Sequence, residues 1–219
     1  MLPILLKLRL ATSMMAGWSA SSSPVPLPTN AIVMLVAGRT VEPIEVKLFD
    51  ENHRTDATLL IERDGSTDPG TMAQVAHLFR CRVTDREKPI AQRTLAMLAD
   101  VSERYQGKTI EFVSAYRVQR GESSTSPHRA GRAIDFRIRG VQLRDIRDYL
   151  WRKYTSVGIG WYPSEQFIHM DTRPGLNDTA WTFVNGNNRY HPYWSELART
   201  PEPAVQAKPP SRIDRRSGS

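Results

Sequence analysis

Cysteine is nearly absent. Cys81 is the only one in 219 residues, so neither an intramolecular disulfide nor a thiolate zinc cluster can form. Its simplest reading is a small buried apolar residue. A membrane span is missing too, because the apolar N-terminal run of Met1–Ala20 is short and is split by Lys7 and Arg9. No stretch interleaves Lys and Arg with aromatics. Of the net charge of +7, two units fall in residues 1–30 and two in 201–219, leaving +3 for residues 31–200. That balance predicts no nucleic-acid partner. A hydrophobic content of 40% and five tryptophans indicate instead a folded core.

The chain divides by composition. Residues 1–30 read as a candidate export signal or anchor followed by a Pro/Ser linker (SSSPVPLPTN, 21–30), with no other stable membrane insertion expected. Residues 31–66 read as a small β-rich extension: an apolar run from Ala31, an alternating strand through Ile44, Val46 and Leu48, and another near Thr58–Glu62. Residues 67–199 form the main domain, and 200–219 a disordered, basic, Pro-rich tail. Within the main domain, Asp68-Pro69 opens a helix running to Phe79, and a second helix fits Pro89–Tyr105. Strands are expected at Thr109–Ala115, Ala133–Ile138, Val157–Trp161 and Gln166–Asp171, with a helix at Val141–Tyr154. The aromatic stretch from Trp181 to Trp194 reads as a packed loop. Helices first and consecutive strands later imply an α+β domain, a mostly antiparallel sheet with its helices on one side. No internal repeat occurs.

Two short stretches concentrate the chemistry. SPHRAGRAID (126–135) and FIHMD (167–171) together carry His128, Asp135, His169 and Asp171. Asp135 lies on a strand whose alternate residues Ile134 and Phe136 face the other way, and His169 and Asp171 share one face of theirs. Two imidazoles and one carboxylate leave a fourth zinc position for water, the pattern of a catalytic rather than a structural site.

With SAYR (114–117), SxHxxGxAxD (126–135), VGIGWYP (157–163) and FIHMD (167–171) in this order, the chain resembles the M15 zinc peptidases, and among them the murein endopeptidase branch. LFRCRVT (78–84) and Trp181 extend the resemblance, which covers about Leu78 to Trp181. It implies the fold shared by D-Ala-D-Ala peptidases and the hedgehog signalling domain. It further implies Zn2+ on His128, Asp135 and His169, and peptidoglycan stem or cross-link peptides as substrate. With the N-terminal segment it gives the expectation of an exported enzyme of the periplasm or cell envelope, and a monomer is expected. Arg117 would neutralise the developing oxyanion or hold a substrate carboxylate, and Ser126 would support the first ligand by a hydrogen bond.

The chain departs from the family at the general base. Relatives carry His two residues, or Glu three residues, before the last ligand; here those positions are Phe167 and Gln166. Asp171 is the first candidate replacement by position and Glu165, on the turn, the second; Asp171 equally fits a carboxylate that orients a zinc-bound histidine. Arg117 and Asp135 could each be simple ion-pair partners. A zinc-containing cell-wall-binding module with little catalysis, and a D,D-carboxypeptidase or dipeptidase, are the competing functions.

Overall fold

The computed structural model describes residues 42–199; the expected signal or anchor, the linker, the apolar run from Ala31 and the tail from residue 200 lie outside the described residues. Eight strands form one sheet: β1 (Ile44–Asp50), β2 (Thr55–Ile61), β3 (Ile110–Ser114), β4 (Ala133–Ile138), β5 (Val157–Tyr162), β6 (Phe167–Thr172), β7 (Thr179–Val184) and β8 (Asn187–Tyr190). Their order is β2-β1-β3-β4-β6-β5-β7-β8. The β1–β3 and β5–β7 pairs are parallel, and the other five are antiparallel. The architecture is α+β with a mostly antiparallel sheet.

Strand alternation divides the sheet into two faces. Ile110, Phe112, Ile134, Phe136, Val157, Ile159, Ile168 and Met170 supply the core face. Against them pack Leu95, Leu98 and Val101 of α2 (Gln92–Arg104) and Ile146 and Leu150 of α3 (Leu143–Lys153). Burying each such side chain contributes about 1.5–3 kcal/mol. The opposite face receives Asp135, His169 and Asp171, and the long apolar core beneath them fixes the register that aligns them.

Local signals explain the element ends. Helix α1 (Pro69–Leu78) starts where expected: the Asp68 carboxylate accepts the N–H groups of Gly70 and Thr71 at 2.8 and 3.0 Å, and Pro69 needs no partner. Helix α2 starts three residues later than Pro89. The Ala91 N–H donates instead to the Gly131 carbonyl at 2.8 Å, which holds 89–91 extended beside the loop that carries His128. Gly131 has φ +67°, and a Cβ there would lie 2.7 Å from the Pro89 oxygen, so glycine is required at this crossing.

Two expectations are corrected. Residues 44–61 are no separate layer: β1 pairs with β3, and the two N-terminal strands form one flank of the common sheet. The stretch after Trp181 is not a loop but the β7–β8 hairpin followed by α4 (Tyr193–Arg199). Asn185 and Gly186 turn the hairpin with φ of 51° and 78°, the left-handed pair that suits Asn-Gly. Cys81 is buried, as its composition reading expects. Among the described residues no helix is long and apolar enough to cross a membrane.

Candidate metal centre

The register lines up a row across the sheet. Ser114, Asp135, His169, Gly160, Trp181 and Tyr190 are successive Cα partners on β3, β4, β6, β5, β7 and β8. The next row along carries Ala133, Asp171, Gly158 and Thr179. His128 reaches the first row from the loop before β4, folded by backbone bonds from Ala130 to Ser126 (3.2 Å), Gly131 to His128 (3.1 Å) and Arg132 to Pro127 (2.9 Å). Ser126 takes part through its backbone; its hydroxyl has no hydrogen-bond partner among the described residues.

Outer hydrogen bonds set the ring tautomers. His128 Nδ1 is 2.6 Å from the Ala115 carbonyl oxygen, which only accepts, so Nδ1 carries the proton and Nε2 a lone pair. His169 Nε2 is 3.0 Å from Asp171 Oδ2 and donates to it, so the neutral ring presents a lone pair at Nδ1. Those two inner nitrogens stand 3.1 Å apart. Asp135 closes the triangle with Oδ1 at 2.8 Å from His169 Nδ1 and Oδ2 at 3.3 Å from His128 Nε2. All three residues are buried.

Three electron-rich atoms converging away from water require a cation among them. The electrostatics show the same demand. Burial favours a neutral His169, yet hydrogen bonds to Asp135 and Asp171 and their negative charges push its pKa up to about 9. Burial likewise opposes ionised Asp135, but its interactions with His128 and His169 hold it far below the usual carboxylate range. Tetrahedral zinc with ligands at about 2.0–2.1 Å spaces them about 3.3 Å apart. The observed 2.8–3.3 Å separations are close to that, so the donor set fits a metal ion.

The remaining site residues fall in three places. Asp171 is fully buried on the outer ring nitrogen of His169, and Arg173 grips it with Nε on Oδ1 at 3.0 Å and Nη2 on Oδ2 at 3.2 Å. Burial would raise its pKa, but His169 and Arg173 outweigh that and keep it ionised. Arg117 is partly exposed beside the triangle, Nη1 3.4 Å from Asp135 Oδ2. Glu165 is exposed on the turn between β5 and β6, apart from the triangle.

Residue-by-residue reading misses Arg173, Trp181's place and Glu122. Arg173 had a signal: His169, Asp171 and Arg173 alternate along one strand direction. Trp181 sets its ring 5.0 Å from that of His169 and donates from Nε1 to the Tyr162 hydroxyl at 3.2 Å. The glycines of VGIGW make room for both groups. A Cβ on Gly158 would lie 2.6 Å from Arg173 Nη2, and one on Gly160 would lie 2.5 Å from Trp181 Cζ2. Gly160→Ala is therefore expected to displace the indole and lower stability by about 1–3 kcal/mol, read from thermal or urea melting.

Sequence comparison agrees with this geometry. A family model described as peptidoglycan L,D-endopeptidase MepK matches residues 38–177. The peptidoglycan L,D-endopeptidase MepK of Escherichia coli (strain K12) is 31% identical over 118 residues, covering 47% of this chain and 62% of the relative. The probable peptidoglycan L,D-endopeptidase MepK of Haemophilus influenzae is 43% identical over 58 residues, covering 26% of this chain and 31% of the relative. The chain thus spans less than two thirds of the length of these curated relatives. No solved structure matches it. The family match covers more than half of the chain and contains the whole His128–Asp135–His169 triangle, and on that ground the chain belongs to the M15 peptidases described as peptidoglycan L,D-endopeptidase MepK.

Proposed function

We propose that this chain is a zinc-dependent peptidoglycan endopeptidase of the cell envelope, cleaving stem or cross-link peptides at an L,D bond. The observation that carries the reading is the convergence of two imidazole lone pairs and a carboxylate, each oriented from behind, inside a family of peptidoglycan peptidases. His128, Asp135 and His169 would hold the zinc. When bound there, zinc would polarise the scissile carbonyl and bring the pKa of a bound water to about 7.

The chain's own residues supply the rest. Ala115 and Asp171 fix the ring tautomers, so no reorientation is needed when the site is loaded. Arg117 offers a permanent positive charge beside Asp135, available to the negative charge that a tetrahedral intermediate would gather. Asp171, enclosed by His169 and Arg173, acts as a positioning residue and not as the proton acceptor. Water adds across the C–N bond, leaving a carboxylate on one fragment and an amine on the other.

The test is incubation of zinc-loaded protein with purified muropeptide dimers linked L,D or D,D, with products separated by chromatography. Cleavage of the L,D dimer supports the reading. Release of only a terminal D-Ala points to a carboxypeptidase. Binding to sacculi without any product, from protein holding one zinc, points to the binding module that the residues at 166 and 167 keep in view.

A further inference from the structure

Arg117 is held from two sides. Besides Asp135, its Nε lies 3.2 Å from Glu122 Oε2, and the Glu122 side chain is only 12% exposed. Glu122 belongs to no strand or helix; a turn brings it back. The Glu122 N–H donates to the Gln119 carbonyl at 3.2 Å, and Gly121 takes φ +89°, the left-handed third position of a tight turn. The contact is an ion pair and not a hydrogen bond, because the buried Nε–H of Arg117 has no acceptor along its direction. The Glu122 carboxylate lies alongside that buried nitrogen, so its hold on the guanidinium is electrostatic.

We infer that Glu122 is a positioning residue that holds the Arg117 guanidinium against Asp135. This rests on the peptidase reading above. A guanidinium on a flexible stem loses much of its effect on developing charge if it must be ordered in each turnover. Two carboxylates, one at Nε and one at Nη1, restrict that freedom. Glu122 acts only through Arg117, so its effect must vanish once Arg117 is altered.

The experiment is a double-mutant cycle on the zinc-loaded full chain with Glu122→Gln, Arg117→Lys and the pair. Each protein is first checked for one zinc and an unchanged melting temperature. Glu122→Gln is expected to lower kcat/KM about tenfold and Arg117→Lys about a hundredfold. The pair should be no worse than Arg117→Lys alone, and Glu122→Asp should recover part of the loss. An unaffected Glu122→Gln enzyme, or losses that multiply in the pair, would overturn the inference. A second readout is independent of turnover: by NMR, the Arg117 Nε–H should exchange faster with water in Glu122→Gln than in wild type. If wild type cleaves no muropeptide, the peptidase reading fails, and this exchange rate still decides whether Glu122 holds Arg117.

Discussion

Replacing His128 by alanine is expected to leave the protein with no bound zinc, where wild type carries about one per chain by elemental analysis. Turnover should fall by at least about a thousandfold, since the remaining His169 and Asp135 cannot enclose the ion. The physical reason lies in the donor geometry. Nε2 of His128 supplies one corner of the triangle, and its ring is oriented by the Ala115 carbonyl. An alanine offers neither the lone pair nor a partner for that carbonyl. His77→Ala is the matched control, because His77 is an exposed residue of α1 paired with Glu87 and should keep both zinc and activity. The metal-free protein has its own signature. With the His169 pKa raised from 6.5 to about 9, its stabilising charge is fully present below pH 6.5 and is lost as pH rises through about 9. Stripped wild type should therefore melt at progressively lower temperature over that interval, and zinc uptake below pH 9 should release a proton.

The His128–Asp135–His169 triangle was legible because its parts are short-range. Asp135 and His169 each sit in a strand with clean alternation, so their common face follows from parity once β4 and β6 are neighbours. That pairing itself is non-local, and the resemblance to M15 peptidases carried it. The outer bonds were less legible. Arg173 shares the parity of His169 and Asp171, but its two-point grip on Asp171 depends on side-chain direction, and the meeting of Arg117 with Glu122 depends on the turn at Gly121, which no periodicity encodes. The hairpin at Asn185-Gly186 had a strong local signal, but polar and aromatic residues without an alternating apolar face obscured the strands on either side. All four residues of β8 are exposed, so burial left no trace in the sequence there. Residues 44–61 were readable as strands but not as members of the main sheet, because the parallel β1–β3 pairing spans the whole α1–α2 segment.

Asp171→Asn should separate the two roles that the sequence leaves open for this residue. Asp171 is fully buried, and its two oxygens are already taken by His169 Nε2 at 3.0 Å and by Arg173 at 3.0 and 3.2 Å. An asparagine keeps the shape but turns one oxygen into a donor. At Oδ1 that donor faces Arg173 Nε, and at Oδ2 it faces both His169 Nε2 and Arg173 Nη2, so at least one buried hydrogen bond is lost whichever way the amide lies. With the outer partner weakened, His169 is freer to change tautomer or rotate away from the triangle. Zinc affinity should fall about ten- to a hundredfold, measured by competition with a chromophoric chelator. At saturating zinc, kcat should return to within a few-fold of wild type, because no reacting atom touches Asp171. The opposite result has an equally definite meaning. Unchanged zinc affinity with kcat lost at saturating metal would make Asp171 the proton acceptor, and it would require Arg173 to release the carboxylate when substrate binds. The two-point grip of Arg173, on a carboxylate with no exposed surface, is the reason to expect the first result.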